Sequence, residues 1–120
     1  MQKGKVLIVD DEIAQRSLLA SIFKKAQFEI ALADNKEEAL QLFRLDPSSF
    51  VFVVTDYCIP KYGDGLVLLE NIRIISDVPT FLITGSELKC EEFNVLKKKF
   101  NAIFYKPFVV AEFFAHINTS

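Results

Sequence analysis

The sequence is short of several things, and each shortage excludes a class of protein. It has two cysteines, Cys58 and Cys90, which fit neither a disulfide framework nor a metal spacing. There is one histidine, His116, on a terminal segment between apolar residues, so a histidine metal centre or an internal histidine phosphodonor is not expected. No apolar run approaches the ~20 residues of a membrane span. Met1 to Lys5 is followed by four apolar residues and then two acids, which is no secretory signal. Repeats, low-complexity tracts and Pro/Gly/Ser-rich linkers are missing as well. There is no basic excess, the formal net charge being -2, against a surface built for nucleic acid. The expectation is one cytoplasmic domain over residues 1–120 with reduced thiols, no membrane association and no direct nucleic-acid binding.

What is present is a strict alternation of two segment types. Val6 to Val9 is a short apolar run ending in Asp10-Asp11, read as a buried strand. From Glu12 to Ala26, Leu18, Leu19, Ile22, Phe23 and Ala26 recur at helical spacing. Glu29 to Ala33 alternates as a less buried edge strand. Asn35 reads as a helix N-cap with Glu38 as its reciprocal acid, the inner face of that helix being Ala39, Leu40 and Phe43, and Asp46-Pro47 stops it. Phe50 to Asp56 is a continuous apolar strand buried on both faces, with Pro60 forbidding its continuation. Lys61 to Asp64 is a turn, Gly65 to about Ile75 a helix carrying Leu66, Leu69 and Ile72. Pro79 to Thr84 is a fourth strand and Leu88 to about Phe100 a weakly patterned helix (Phe93, Leu96, Phe100) ending in Lys97 to Lys99, as a helix dipole favours. Ala102 to Tyr105 is a fifth strand, and Val110, Phe113, Phe114 and Ile117 mark a final helix. Five strands alternating with five helices imply an α/β doubly wound parallel sheet of the flavodoxin-like kind, strand order 2-1-3-4-5.

In such a sheet the strand C-termini share one side, so residues distant in sequence converge there. They are Asp10 and Asp11 after the first strand, Asp56 after the third, Thr84 after the fourth and Lys106 after the fifth. Three carboxylates brought together repel unless a cation joins them, and oxygen donors without histidine or cysteine favour Mg²⁺ over Zn²⁺. A hydroxyl and an ammonium beside them can hold the remaining oxygens of a phosphoryl group, and a carboxylate can be its nucleophile. Asp10-Asp11 alone would be better read as a helix cap with a solvated acid, while Thr84 could simply end a strand and Lys106 could be a surface lysine. Their joint occurrence at strand ends is what favours a site.

These residues resemble a known family. Val9-Asp10-Asp11-Glu12, Thr55-Asp56-Tyr57 with Pro60 and Gly65, Thr84-Gly85-Ser86 and Lys106-Pro107-Phe108 are similar to the markers of the bacterial two-component response-regulator receiver domain (CheY-like), over essentially the whole chain. The resemblance implies Asp56 as phosphoacceptor, and Mg²⁺ held by Asp10, Asp11, Asp56 and the backbone carbonyl of Cys58. Thr84 would grip the phosphoryl group, and Lys106 would pair with the acids and the phosphate. A sensor histidine kinase or histidine phosphotransfer protein would donate the phosphoryl group, with a small acyl phosphate as substitute. A downstream target would bind the face of the fourth helix, fifth strand and fifth helix. The chain departs from the pattern at Ile103, where the family usually has an aromatic residue three positions before its lysine; Tyr105, on the same side of the strand, is the candidate replacement. Cys58 and Ser86 occupy the two positions that tune dephosphorylation, and neither is an acid or amide suited to orienting water, so a long-lived phosphoaspartate is expected. No enzyme activity beyond self-phosphotransfer and self-dephosphorylation is expected. An aspartyl-phosphate phosphatase would need a second acid two residues after Asp56. A flavodoxin-like cofactor binder would need a Ser/Thr/Gly-rich loop where Asp-Asp-Glu stands. A degenerate receiver acting as a phosphorylation-independent scaffold is the alternative.

Overall fold

A computed structural model of the chain describes residues 3–85, 88–107 and 110–119, with side chains as far as His116. Ser86 and Phe108, and the side chain of Ile117, lie outside the described residues. The elements are β1 (Lys5–Val9), α1 (Ile13–Lys25), β2 (Glu29–Ala33), α2 (Lys36–Leu45), a 3-10 turn (Pro47–Ser49), β3 (Phe50–Thr55), α3 (Asp64–Ile75), β4 (Thr80–Thr84), α4 (Cys90–Lys99), β5 (Ala102–Tyr105) and α5 (Val110–Thr119). All five strands are parallel, in the order β2-β1-β3-β4-β5.

Strand side chains alternate between faces, and so the sheet has two cores. Leu7, Val9 and Val53 meet Ala39 and Phe43 of α2 and Leu68 and Ile72 of α3 on one side. Val6, Ile8, Phe52, Val54, Phe81 and Ile83 meet Leu19 and Phe23 of α1 and Phe113 of α5 on the other. Phe23 sits in a ring of edge-to-face contacts with Phe28, Phe52, Phe113 and Phe114, with centroids 5.3–6.1 Å apart. Burying each such ring contributes about 1.5–3 kcal/mol from apolar area alone. A smaller cluster of Tyr57, Leu69, Leu82, Leu96 and Phe100 lies under α4.

Three local expectations need correcting. Leu18 is 51% exposed, and Ala20 takes the inward position on α1 beside Leu19 and Phe23, because a helix lying on a sheet buries a narrow stripe. Val51 is exposed rather than buried. The β1–β3 register shifts between Lys5 and Val6, pairing Lys5 with Phe50 and Val6 with Phe52. Val51 is thus a bulge residue, which turns Phe50 onto the α2 side, where its ring stacks on Phe43 at 5.3 Å. At α2, Asn35 Oδ1 accepts the Glu38 N–H (2.8 Å) as expected, but Glu38 returns to the N–H of Asp34 (3.2 Å), one residue before the cap.

Candidate functional site

The ladder hydrogen bonds do not stop at the strand ends, and that is what gathers the acids. The Asp10 N–H donates to Ala33 O (3.1 Å) and the Asp56 N–H to Val9 O (3.0 Å), so Asp10 and Asp56 leave adjacent strands side by side. The Lys106 N–H donates to Thr84 O (2.9 Å), extending β5 along β4 in the same way.

From the edge of the sheet Lys106 crosses over β4. Its Nζ lies 2.8 Å from Asp56 Oδ2, 3.3 Å from Asp10 Oδ2 and 3.6 Å from Glu12 Oε1. Asp56 Oδ1 accepts the N–H of Tyr57 (2.6 Å) and the N–H of Cys58 at 3.5 Å. Asp10 Oδ1 accepts the Glu12 N–H (2.9 Å), and its carbonyl accepts from Arg16 Nη1 (2.7 Å). Asp10 and Asp56 are buried and Asp11 is exposed. Among the described residues these three can each present one carboxylate oxygen, all within 4.8 Å of one another. Asp11 and Asp56 line a cleft of about 420 Å³ together with Glu12, Cys58, Gly85 and Lys106.

The electrostatics follow from this crowding. Burial pushes the Asp10 carboxyl above its ordinary range and nearby Asp56 adds to the rise, while the Glu12 N–H and Lys106 oppose it. Burial disfavours the Lys106 charge, yet its hydrogen bond to Asp56 and the fields of Asp56 and Asp10 outweigh burial and raise it. An acid held ionised with difficulty beside two more carboxylates is a setting that a hard divalent cation relieves. The donor set fits such an ion.

Of the residues expected at the site, Asp10, Asp11, Asp56 and Lys106 come together and Cys58 lines the cleft. Thr84 ends β4 but is wholly buried (0% exposed) and is not among the residues lining the cleft. Ile103 is half-buried against the Tyr57, Leu69, Leu82, Leu96 and Phe100 cluster. Tyr105 turns outward onto α4, its ring stacked on Phe93 at 6.4 Å.

Sequence reasoning missed the supports. Glu12 shares Lys106, and Arg16, one helical turn into α1, fixes the Asp10 carbonyl. The loop after Asp56 is clamped as well. Asp64, buried at the start of α3, takes Lys36 Nζ on one oxygen (3.1 Å) and the Lys61 N–H on the other (3.1 Å). Gly65 donates to Tyr57 O (2.9 Å) and packs so tightly that a Cβ there would collide with the Asp56 carbonyl. Lys36 sits on the first turn of α2, where a helix dipole disfavours a cation; that misfit was a legible hint of a tertiary partner.

Comparison with known proteins gives a consistent picture. Residues 6–118 match the family model described as the response regulator receiver domain. A curated relative, "Probable transcriptional regulator ycf27" of Porphyra purpurea, is 35% identical over 118 residues, covering 98% of this chain and 47% of that protein. The chain thus spans about half the length of the curated relatives it matches. A response regulator receiver domain protein from Clostridium thermocellum superposes with a TM-score of 0.85 at 23% identity, covering 97% of this chain and 92% of that one. The CheX-CheY-BeF3-Mg+2 complex from Borrelia burgdorferi gives 0.83 at 22% identity, covering 98% and 89%. At these identities the structural likenesses speak to the fold.

Proposed function

Since the chain belongs to the response regulator receiver domain family, we propose that it accepts a phosphoryl group on Asp56 and uses it to switch a partner-binding surface in two-component signalling, with residues 1–120 acting as one receiver domain. The observation that carries this reading is the reach of Lys106 from the fifth strand to Asp56 Oδ2 and Asp10 Oδ2 within a triad of carboxylates. A simple ion pair would need one acid, whereas this ammonium faces Asp56, Asp10 and Glu12.

In the proposed reaction an Asp56 carboxylate oxygen attacks phosphorus while the P–N bond of a phosphohistidine breaks, its electron pair returning to the imidazole. The donor is a sensor histidine kinase or histidine phosphotransfer protein. The Tyr57 and Cys58 N–H groups orient the Asp56 carboxylate through Oδ1. Lys106 balances charge on its other side. Asp10, Asp11, Asp56 and the Cys58 carbonyl are the groups that would hold Mg²⁺, which when bound neutralises charge on the phosphoryl oxygens. Thr84 must leave its buried position for its hydroxyl to reach the phosphoryl group. That movement, at the end of β4, is how phosphorylation would bias the surface of α4, β5 and α5 toward a second, pre-existing arrangement. The Borrelia relative, solved with beryllofluoride and Mg²⁺, supports this reading of the fold. The work is phosphoacceptor chemistry, with no turnover of an external substrate, and we place the domain in the cytoplasm; no helix among the described residues is long and apolar enough to cross a membrane. Relatives named transcriptional regulators are about twice as long, so nucleic-acid contact would belong to a portion outside these residues.

Incubation with Mg²⁺ and acetyl phosphate, followed by intact mass, tests the reading. A phosphoryl adduct lost in Asp56→Asn is expected. Absence of an adduct together with no response to beryllofluoride would overturn it and favour a phosphorylation-independent scaffold.

A further inference from the structure

The phosphoacceptor loop is joined to α4 by a contact that the chemistry above does not use. The Tyr62 hydroxyl donates to Glu92 Oε2, thirty residues away on the first turn of α4. Glu92 is held for this role, since its other oxygen accepts the Lys89 N–H at the helix start (3.4 Å). On the loop side, the Tyr62 ring meets the Tyr57 ring edge-on, with centroids 4.8 Å apart and an interplanar angle of 84°. Tyr57 is in turn the residue whose N–H lies 2.6 Å from Asp56 Oδ1. A continuous physical path therefore runs Asp56, Tyr57, Tyr62, Glu92.

The helix at the end of that path is loosely seated. Of the ten residues of α4, Leu96 alone is buried, so little apolar area holds it to the sheet. A groove of about 580 Å³ separates it from α3, lined by Tyr57, Tyr62, Leu66, Glu92, Val95 and Leu96 among others. The helix has room to move. On its β5 side, Ile103 has no polar group and sits in a cluster of buried apolar residues, while Tyr105 is already stacked on Phe93. A lever through the Ile103 or Tyr105 side chain to α4 is thus poorly supplied, whereas one on the phosphoacceptor loop is in place.

We propose that the Tyr62–Glu92 hydrogen bond is a latch that holds α4 in its resting position and couples it to Asp56, so that phosphorylation is signalled to α4 through the loop following β3. This rests on the phosphoacceptor reading of Asp56 and deepens it. A latch that restrains α4 also restrains the loop, and its removal raises the population of the rearranged loop from which phosphorylation proceeds, as well as easing α4 movement. Glu92 bears a negative charge, so the bond is the charge-assisted kind, although it is exposed.

The test is a double-mutant cycle of Tyr62→Phe, Glu92→Ala and the pair, all on the full chain, with thermal melting to verify folding. Tyr62→Phe keeps the edge-on ring contact with Tyr57 and removes the hydroxyl alone. Two readouts are taken: the rate of Asp56 phosphorylation by acetyl phosphate with Mg²⁺, and hydrogen exchange of the α4 amides with and without beryllofluoride. Each single variant should speed phosphorylation about threefold, the scale of one solvent-exposed hydrogen bond. Each should also raise resting exchange at the α4 amides and shrink the beryllofluoride-induced change there, with the pair no stronger than Glu92→Ala alone. Unchanged phosphorylation, unchanged α4 exchange, or additive single effects would each overturn the latch. Failure of the unsubstituted chain to form any adduct would instead overturn the phosphoacceptor reading, and the coupling with it.

Discussion

At the residue scale the site is a balance of like charges around one ammonium, and its cost is testable. The Asp10 carboxyl is raised by burial first and by Asp56 second, against the Glu12 N–H and Lys106. A carboxyl whose folded value lies above its unfolded value of 3.8 binds its proton more tightly when folded. Ionised Asp10 therefore destabilises the metal-free fold, and stability falls as pH rises from 3.8 through the raised folded value. Asp10→Asn keeps the Oδ1 acceptor for Glu12 and removes that penalty. We expect it to raise Tm at pH 7 in chelator, to flatten the Tm–pH profile above pH 4, and to weaken Mg²⁺ binding at least tenfold by tyrosine fluorescence or calorimetry. Lys106→Met should act oppositely, lowering the chelator Tm, because it leaves Asp56 and Asp10 facing each other without a cation. Asp10, Asp56 and Lys106 were legible as site residues because a parallel sheet brings strand ends together whatever the intervening sequence. Glu12 and Arg16 were not: which helix residues lean back over a strand end depends on the packing angle of α1, and no spacing in the sequence encodes it.

At the element scale, caps and close approaches decide more than propensity. Asn35→Ala removes the acceptor of the Glu38 N–H and should cost about 1 kcal/mol, read as a fall in Tm of about 3–6 °C for a domain of this size. Gly65→Ala should cost more, about 2 kcal/mol or above, because the added methyl meets the Asp56 carbonyl and the backbone must shift. It should also slow acetyl-phosphate labelling of Asp56, unlike Asn35→Ala, since the displaced carbonyl belongs to the proposed phosphoacceptor itself. The existence of every strand and helix could be read from the spacing of Val, Ile, Leu and Phe, and the strand order followed from the usual topology of so short an alternating chain. Bounds were weaker where apolar residues are sparse: the helix expected from Leu88 to Phe100 forms as Cys90–Lys99. The bulge at Val51 was illegible, because a run of five apolar residues reads the same with or without one residue out of register.

At the scale of the whole molecule, the lifetime of the phosphorylated state is the property that other cellular components would read. Cys58 lines the cleft with no carboxylate or amide of its own to orient an attacking water. In Mg²⁺ buffer the phosphoaspartate should persist for minutes or longer, and Cys58→Asn should shorten its life several-fold by timed intact mass; decay within seconds in the unsubstituted protein would contradict this.

Lys106 has a mechanical meaning too. It belongs to the chain leaving β5 at the sheet's edge, yet its ammonium grips residues following β1 and β3, passing over β4 as a guy-rope passes over a tent pole. The edge strand is thereby anchored to the middle of the sheet at one end. Whatever reorganises charge at Asp56 slackens or tightens that rope, so the flank bearing α5 is tensioned from the site without any side chain of α5 having to touch it.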